Sequence, residues 1–271
     1  MKFLNLVFIN LLLSASSAFA DTLPKNWQLG FQEAFSPTAR AAQELHNYVM
    51  LYVWGIIIFV IFLLVITCVK FREKNNPTPS TTSHHTLLEI IWIAIPTLIL
   101  VAIAVPSMKQ LYFQEQIPKA EMTLKVVGHQ WYWSYEYPDH DNLTFDSYMT
   151  KEEDLLPNEP RLLTTNNKIY LPTETFIKIQ VTASDVIHAF ALPSLGVKID
   201  AVPGRLNETW VYIEEPGTYY GQCSELCGIL HAFMPIEVIA IPKNEFKYWI
   251  EDAKEEFSFV MPSTMKLANN I

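Results

Sequence analysis

The chain has 271 residues, half of them hydrophobic and only 17% charged, and its formal net charge is −9. Soluble globular proteins carry about a quarter charged residues, so this composition argues against a purely soluble enzyme. The acidic balance argues against nucleic acid as a partner, because phosphate contacts require a surplus of Lys and Arg, and it favours a basic protein partner instead.

The first 20 residues have the pattern of a secretory signal peptide. Lys2 is followed by a mostly apolar stretch over residues 3–13, and the small-residue sequence AFA at 18–20 precedes Asp21. A positive start, an apolar middle and a small-residue cleavage site are the three parts of such a peptide. We therefore expect the mature chain to begin at Asp21.

Two long uncharged runs predict a transmembrane hairpin within residues 21–112. Residues 47–69 would form about 34 Å of helix, which is enough to cross a bilayer. Residues 90–108 are also long enough, although Pro96 and Pro106 can kink or end a helix. A buried core helix is the alternative for this second run, but its length favours the membrane.

Positive charges between the two runs predict the orientation of the hairpin. Lys70, Arg72 and Lys74 directly follow the first run, and short basic loops stay on the cytoplasmic side. The segment that begins at Asp21 and the chain after about Tyr112 would then both lie outside the cytoplasm. The signal peptide independently predicts the same orientation. We therefore expect a two-pass protein in contact with membrane lipid.

Residues 113–271 are predicted to form an external, β-rich domain. They contain 12 Lys and Arg against 23 Asp and Glu, so the acidity of the chain belongs to this domain. Short runs rich in β-branched and aromatic residues alternate with turn signals, a pattern typical of an antiparallel sandwich or barrel. The predicted strands are 123–127, 131–137, 175–183, 209–213 and 235–241.

An amphipathic helix is predicted near the C-terminus of this domain. Its apolar face consists of Phe246, Trp249, Ile250, Ala253 and Phe257. Asn244 is placed to cap the first turn. We expect this helix to pack on the sandwich.

Soft metal-ligating side chains are concentrated in one short segment. Four of them lie within 12 residues, and a fifth stands 35 residues earlier. They are Cys223, Cys227, His231 and Met234, with His188 upstream. Thiolate, imidazole and thioether donors together favour copper. Two metal ions could be held if both thiolates bridge them, each ion then taking one His and one weaker axial donor. The set offers no open coordination position, general base or nucleophile, so we expect no oxygen chemistry here.

Three other interpretations of these residues stay open at this point. Cys223 and Cys227 could form a disulfide, which an oxidising compartment permits. Two Cys and two His could hold one structural zinc ion, which needs no thioether. Met234 could be an ordinary core residue. The proximity of His231 and Met234 to the cysteine pair argues against the disulfide, and the acidic, membrane-tethered setting argues against zinc.

Several further motifs occur in a fixed order between about Leu29 and Trp249. They are GHQWYWSYEY at 128–137, FDSYM at 145–149, LPSLG at 192–196 and VPGR at 202–205, together with the hairpin, His188 and the cysteine segment. With these motifs the chain closely resembles subunit II of the bacterial haem–copper cytochrome c oxidases. Such a set of motifs in one order is highly specific.

The resemblance implies an external domain with a cupredoxin-like, Greek-key fold and a dinuclear copper centre, usually called the A centre. The implied ligands are His188, Cys223, Glu225, Cys227, His231 and Met234. The two thiolates would bridge the copper ions, and Glu225 would contribute its backbone carbonyl. The side chain of Glu225 would also belong to a magnesium site shared with subunit I.

The resemblance also implies an electron-transfer role within an oxidase complex. The subunit would accept electrons from cytochrome c and pass them to the haem–copper site of subunit I, where oxygen is reduced, and subunit III would be a further partner. The copper domain would lie in the periplasm, outside the bacterial inner membrane. Trp131 would receive the incoming electron, and Glu89 would lie at the entrance of a proton path into subunit I. The candidate residues for docking cytochrome c are Glu136, Asp139, Asp141, Asp146 and Asp185.

Two alternatives differ in function. A membrane-tethered copper chaperone also uses a Cys-x3-Cys pair and a distant His, but it would leave Met234, Glu225 and the tryptophan-rich run unexplained. Metal counting separates this alternative, because a chaperone would hold one copper ion per folded domain. A quinol oxidase subunit of similar fold would lack the copper ligands, all of which are present in this chain.

Overall fold

The computed structural model describes residues 20–78 and 80–258. The predicted signal peptide, residues 1–20, lies outside the described residues except for its last position. Within the described part, the chain divides into two compact units. One consists of residues up to 40 together with those from 117 onward, and the other of residues 41–116.

The described residues form three α-helices and eleven β-strands. The helices are α1 Pro37–Lys70, α2 Thr86–Glu115 and α3 Lys243–Ser258. The strands are β1 Ala20–Asp21, β2 Met122–His129, β3 Tyr132–Tyr137, β4 Leu143–Ser147, β5 Ile169–Pro172, β6 Phe176–Ala183, β7 His188–Leu192, β8 Val197–Ala201, β9 Asn207–Tyr212, β10 Gly217–Gln222 and β11 Pro235–Ile241.

Helices α1 and α2 contain the two predicted apolar segments. Among the described residues, these are the two helices long and apolar enough to cross a membrane. Both are longer than predicted, because a helix can continue past the hydrocarbon region: α1 has 34 residues, or about 51 Å. Helix α2 continues through Pro96 and Pro106. Its first turn is capped by His85, whose Nδ1 accepts a hydrogen bond from the N–H of Leu88 at 3.2 Å.

Two main sheets build the β domain. The strand order is β4-β3-β2-β6-β9 in one sheet and β1-β10-β11-β5 in the other, and β7 and β8 form a separate pair. Three pairs are parallel: β2 with β6, β5 with β11, and β1 with β10. The predicted β-rich fold is confirmed, but the antiparallel arrangement is wrong for these pairs. Alternating apolar and polar residues show which face is buried, not the direction of the neighbouring strand.

The two sheets enclose one hydrophobic core. Leu124 and Val126 on β2 and Ile179 on β6 face Ile236 and Val238 on β11 within a single cluster of buried residues, and all five are 0% exposed. Each such side chain stabilises the fold by about 1.5–3 kcal/mol through removal from water. The core therefore gives the loops at the sheet ends a rigid base.

The predicted C-terminal helix is confirmed as α3. Its apolar face is buried fully at Phe246, Ile250 and Ala253 and partly at Trp249 and Phe257. The predicted cap is wrong, because the helix begins at Lys243 and Asn244 therefore lies inside its first turn. The helix packs beside β4 and β5.

The start of α1 is fixed to the β domain within the first unit. The hydroxyls of Ser36 and Thr38 both donate to the carbonyl of Leu195, at 2.7 and 2.9 Å. Leu195 ends the short turn that follows β7, and β7 begins at His188. The residues at the start of α1 thus contact the turn that follows the strand beginning at His188.

Candidate metal centre

The loop between β10 and β11, residues 223–234, carries most of the predicted ligands. The two strands are antiparallel neighbours with Gln222 opposite Pro235, so the two ends of the loop lie side by side. The N–H of Cys223 donates to the carbonyl of Met234 at 3.3 Å. The strand pairing therefore closes the base of the loop and holds its first and last residues together.

Strand β7 brings His188 against this loop. The N–H of Ser224 donates to the carbonyl of Ala189 at 3.0 Å. Gly221 on β10 permits this close approach, because a Cβ there would lie 1.9 Å from the carbonyl oxygen of Ala191. A side chain at position 221 would push β7, and His188 with it, away from the cysteines.

The predicted donor atoms converge at this place. The Sγ of Cys223 lies 3.9 Å from the Sγ of Cys227 and 3.9 Å from the Nδ1 of His188. The Sγ of Cys227 lies 3.5 Å from the Nδ1 of His231 and 3.5 Å from the Sδ of Met234. Each thiol therefore has its own imidazole, and the two thiols lie between the two rings along this chain of contacts.

These distances decide between the alternatives. The two cysteines are free, and their 3.9 Å separation far exceeds the ~2.05 Å of a disulfide bond. A single zinc ion would use two Cys and two His, but not the Met234 thioether beside Cys227 nor the carbonyl oxygen of Glu225, which lies 3.4 Å from the Sγ of Cys223. Met234 is 1% exposed, so it is a core residue as well as a sulfur donor. The donor set fits copper.

Asp185 holds the ring of His188 in one orientation. The Nε2 of His188 lies 2.8 Å from the Oδ1 of Asp185, and because a carboxylate only accepts, Nε2 is the donor. This contact directs Nδ1 toward Cys223. Burial alone would lower the pKa of His188, but Cys223 and Asp185 raise it. The ring thus lies between two anionic groups, and a metal cation would replace the proton on Nδ1.

Sequence reasoning assigned Asp185 to partner docking and missed this contact. Its carboxylate also accepts hydrogen bonds from the N–H groups of Gln130 at 2.7 Å and Val186 at 2.6 Å. Burial would raise the pKa of Asp185, and its hydrogen bonds with His188, Val186 and Gln130 hold it below the usual value. The sequence did contain a signal, because a carboxylate three residues before a candidate His ligand is well placed to contact its second nitrogen.

The two thiols differ in acidity. Burial acts to raise the pKa of Cys223, but hydrogen bonds with His188 and with nearby backbone groups lower it to about 7. Burial and the neighbouring Cys223 together raise the pKa of Cys227 to about 12. One thiolate therefore forms readily, and the second requires a cation beside it.

Two side chains from the turn between β2 and β3 contact the ligand loop. The indole Nε1 of Trp131 donates to the carbonyl of Cys227 at 3.0 Å, and the amide Nε2 of Gln130 donates to the same oxygen at 2.8 Å. Trp131 precedes β3, which begins at Tyr132, so the predicted strand 131–137 starts one residue too early. The partly exposed indole is one hydrogen bond away from a cysteine of the centre. Gln130 was not among the predicted site residues.

The predicted docking acids fall into two groups along the first sheet. Asp146 lies on β4 opposite Ser134, whose hydroxyl donates to it at 2.5 Å, and Asp185 lies beside the metal centre. Glu136 lies further along β3, and its Oε2 is 2.6 Å from the Nζ of Lys125 on β2. Asp146 and Asp185 therefore belong to the metal end of the sheet.

The other two acids lie at the opposite end. Asp139 lies in the turn after β3, two residues past Tyr137, and is six residues beyond Trp133, or at most about 20 Å away along the chain. Its Oδ2 accepts a hydrogen bond from the N–H of Thr123 at 2.7 Å. Asp141 lies 2.8 Å from the Nζ of Lys254 on α3. These contacts stabilise the far end of the sheet and its helix.

Glu89 lies in the first turn of α2 and is partly buried. Its N–H donates to the carbonyl of His85 at 3.1 Å. A carboxylate in the first turn of a helix is stabilised by the helix dipole, so its position also favours the helix itself.

Comparison with known proteins agrees with the fold and the site. The family model described as cytochrome c oxidase subunit II, transmembrane domain, matches residues 24–110, and the one described as cytochrome c oxidase subunit II, periplasmic domain, matches residues 122–241. A probable cytochrome c oxidase subunit 2 of Rickettsia bellii is 50% identical over 245 residues, covering 90% of this chain and 91% of the relative. Cytochrome c oxidase subunit 2 of Mycosarcoma maydis is 46% identical over 243 residues, covering 88% and 95%.

A solved structure matches the β domain. The crystal structure of the periplasmic domain of cytochrome oxidase subunit II from Bradyrhizobium japonicum is 53% identical to this chain, with a TM-score of 0.50. The match covers 52% of this chain and 99% of that domain. The two membrane-length helices, the β domain and a copper-type site with one buried His and two buried Cys thus occur together in one sequence. The chain belongs to the cytochrome c oxidase subunit II family, and so to a haem–copper oxidoreductase complex.

Proposed function

We propose that the β domain holds two copper ions and relays electrons from cytochrome c to the oxygen-reducing site of subunit I. The observation that carries this proposal is the convergence of two free thiols, 3.9 Å apart, each with an imidazole nitrogen beside it. Copper held by these donors would supply the redox chemistry of the relay, the uptake and release of one electron.

The donor set divides naturally between two metal positions. Cys223 is next to His188 and the carbonyl of Glu225, and Cys227 is next to His231 and Met234. Each position would thus have its own imidazole and its own weaker donor, and both sulfurs would be available to either metal ion. One metal ion would leave part of this set unused.

The chain holds these donors rigidly. His188 is fixed by Asp185, and the ligand loop is closed at its base by strand pairing and supported by the buried core. Rigid ligands change little in position when an electron arrives, so the structural rearrangement that opposes electron transfer stays small. A loosely held loop would have to reorganise at each transfer.

We assign the acceptance of the incoming electron to Trp131. Its indole is partly exposed and donates to the carbonyl of Cys227 at 3.0 Å, so it joins the surface to the centre by one hydrogen bond. Gln130 donates to the same oxygen and holds that residue of the loop in place.

Cytochrome c is basic, and the acidic domain would attract and orient it. We assign docking first to Asp146 and Asp185, which lie at the metal end of the sheet, and next to Glu136, whose charge is partly balanced by Lys125. Asp139 and Asp141 lie further away and would contribute to the long-range field rather than to the contact.

The other assignments concern the rest of the complex. The exposed side chain of Glu225 would contribute to a magnesium site shared with subunit I, and Glu89, in the first turn of α2, would lie at a cytoplasmic proton entrance. Subunit III would be a further partner. The hairpin would span the bacterial inner membrane, with the copper domain in the periplasm and residues 1–20 removed as the signal peptide.

Rapid mixing with reduced cytochrome c tests the relay. The full chain, purified in detergent and loaded with copper, should oxidise about one equivalent of cytochrome c in a fast phase. The metal-free chain and a Cys227→Ser chain treated with copper should not. Absence of this phase in a chain that contains two copper ions would contradict the proposal. A chain that holds one copper ion and delivers it to a competing ligand would favour the chaperone.

A further inference from the structure

Gly128 and Trp133 form a cross-strand pair directly beside the metal ligands. Gly128 lies on β2 and Trp133 on β3, and the register places them opposite each other. Both belong to the buried face of the sheet. Neither residue offers a metal donor atom in the arrangement described above, so the proposed copper site leaves them without a role.

The absence of a side chain at Gly128 leaves room for the ring of His188. A Cβ at this position would lie 2.9 Å from the Cδ2 of His188, 3.0 Å from its Cγ and 3.1 Å from its Cβ. Real Cβ atoms essentially never come within 3.0 Å of such a neighbour, so even alanine would force the ring to move. The imidazole cannot turn freely, because Asp185 holds Nε2, the ring atom bonded to Cδ2. A methyl group at position 128 would therefore displace Nδ1.

Trp133 contacts two ligand residues that come from different parts of the chain. Its indole Nε1 donates to the carbonyl of Met234 at 3.3 Å. Its ring packs edge-on against His188, with centroids 5.9 Å apart, and against Phe190, with centroids 5.6 Å apart. Because Trp133 is 0% exposed, no solvent competes for the hydrogen bond. One side chain thus connects β7 to the end of the ligand loop.

We propose that Gly128 and Trp133 are positioning residues that act as a pair: the glycine sets where the His188 ring lies, and the tryptophan fixes that ring relative to Met234. Ordinary core packing is the competing explanation, and it predicts a loss of stability without a change at the metal. This inference rests on the proposed copper site.

The test compares three variants of the full chain in detergent with the unmodified chain. Trp133→Phe keeps an aromatic core residue but removes the donor to the Met234 carbonyl, and Gly128→Ala adds only a methyl group. Trp210→Phe is the matched control. Trp210 lies on β9, is 3% exposed and packs against Phe176. The strand register places Trp210 at the level of Thr123 on β2, which puts it at least about 16 Å from Gly128.

Three readouts separate positioning from packing. They are the rate of copper loss to a chelator, the electron paramagnetic resonance spectrum of the copper-loaded chain, and the unfolding midpoint of the metal-free chain. We expect Gly128→Ala and Trp133→Phe to lose copper roughly tenfold faster and to show altered copper hyperfine splittings, since contacts behind metal ligands typically have effects of this size. Trp210→Phe should lower the midpoint by a similar amount to Trp133→Phe and leave both copper readouts unchanged.

The experiment distinguishes failure of the positioning role from failure of the proposed copper site. If the unmodified chain does not bind two copper ions, the copper site itself is wrong. If it does, and Trp133→Phe matches Trp210→Phe in copper loss and spectrum, the positioning role is overturned. Should Gly128→Ala fail to fold, the comparison between the two tryptophan variants still decides.

Discussion

The two ends of the sheet that contains β2 and β3 are built from similar residues but have different functions. At the metal end, Trp131 and Gln130 contact the carbonyl of Cys227, and Asp185 holds His188. At the far end, Asp139 contacts the first residues of β2, and Asp141 pairs with α3. Acidic and aromatic side chains occur at both ends, so residue type alone does not separate function from structure.

The difference shows what strand register contributes. Neighbouring positions on one strand alternate between the core and the solvent, and six residues along it correspond to about 20 Å. Asp185, in the turn between β6 and β7, thus contacts the predicted ligand His188, whereas Asp139, in the turn after β3, stabilises the opposite edge of the sheet. Substitutions at the two ends test this division.

Removal of one of the two thiols proposed to bridge the copper ions should have the largest effect. Cys227 lies next to Cys223, His231 and Met234, so Cys227→Ser takes away a sulfur that three other donor residues surround. The copper content of the full chain should fall from two ions to at most one, measured by elemental analysis after gel filtration. Retention of two ions in this variant would contradict a bridging role.

Asp185→Ala should weaken copper binding, although it removes no ligand. Without the carboxylate, Nε2 of His188 loses its acceptor and the ring is free to turn, so copper should be lost to a chelator roughly tenfold faster. Asp139→Ala, at the far end, is the matched control and should retain copper like the unmodified chain. Equal retention in both variants would remove the distinction between the two ends.

Neutralising one acid at each end of the sheet should distinguish residues that contact cytochrome c from residues that only attract it at long range. At low ionic strength, Asp146→Asn should slow the reduction of the oxidase complex by cytochrome c roughly two- to fivefold, because one favourable charge at the contact is lost. Asp141→Asn should have a smaller effect. High salt should abolish the difference, since exposed charges are then screened. A larger effect at Asp141 would place the docking surface elsewhere.

The smallest effect is expected on stability at the far end. Asp139→Ala removes the acceptor for the N–H of Thr123 and should lower the free energy of unfolding by roughly 0.5–1 kcal/mol. Chemical denaturation of the full chain in detergent measures this change. A change in the copper spectrum of this variant would show that the two ends are coupled.

The sequence predicts most of the parts whose residues are close together along the chain. The apolar runs specify the two helices by length, and both were confirmed. Cys223, Cys227, His231 and Met234 lie in one loop, so any compact form of that loop brings their donors near each other. The resemblance to the oxidase subunit was confirmed by the comparisons with known proteins.

The contacts that sequence reasoning missed depend on how distant strands align. Gln130 reaches Cys227 and Trp133 reaches Met234 across about a hundred positions, because the turn after β2 lies against the ligand loop. Asp185 was assigned to the surface by its charge, although its carboxylate contacts a ligand ring. The parallel pairing of β2 with β6 was also not predicted, because the alternation of apolar and polar residues along a strand does not show the direction of its neighbour.

Copper counting combined with electron paramagnetic resonance tests the central claim most directly. The full chain, reconstituted with copper in detergent and partly reduced, should contain two copper ions and show the hyperfine pattern of one unpaired electron shared by two copper nuclei. One copper ion per chain with an ordinary mononuclear spectrum would contradict the account.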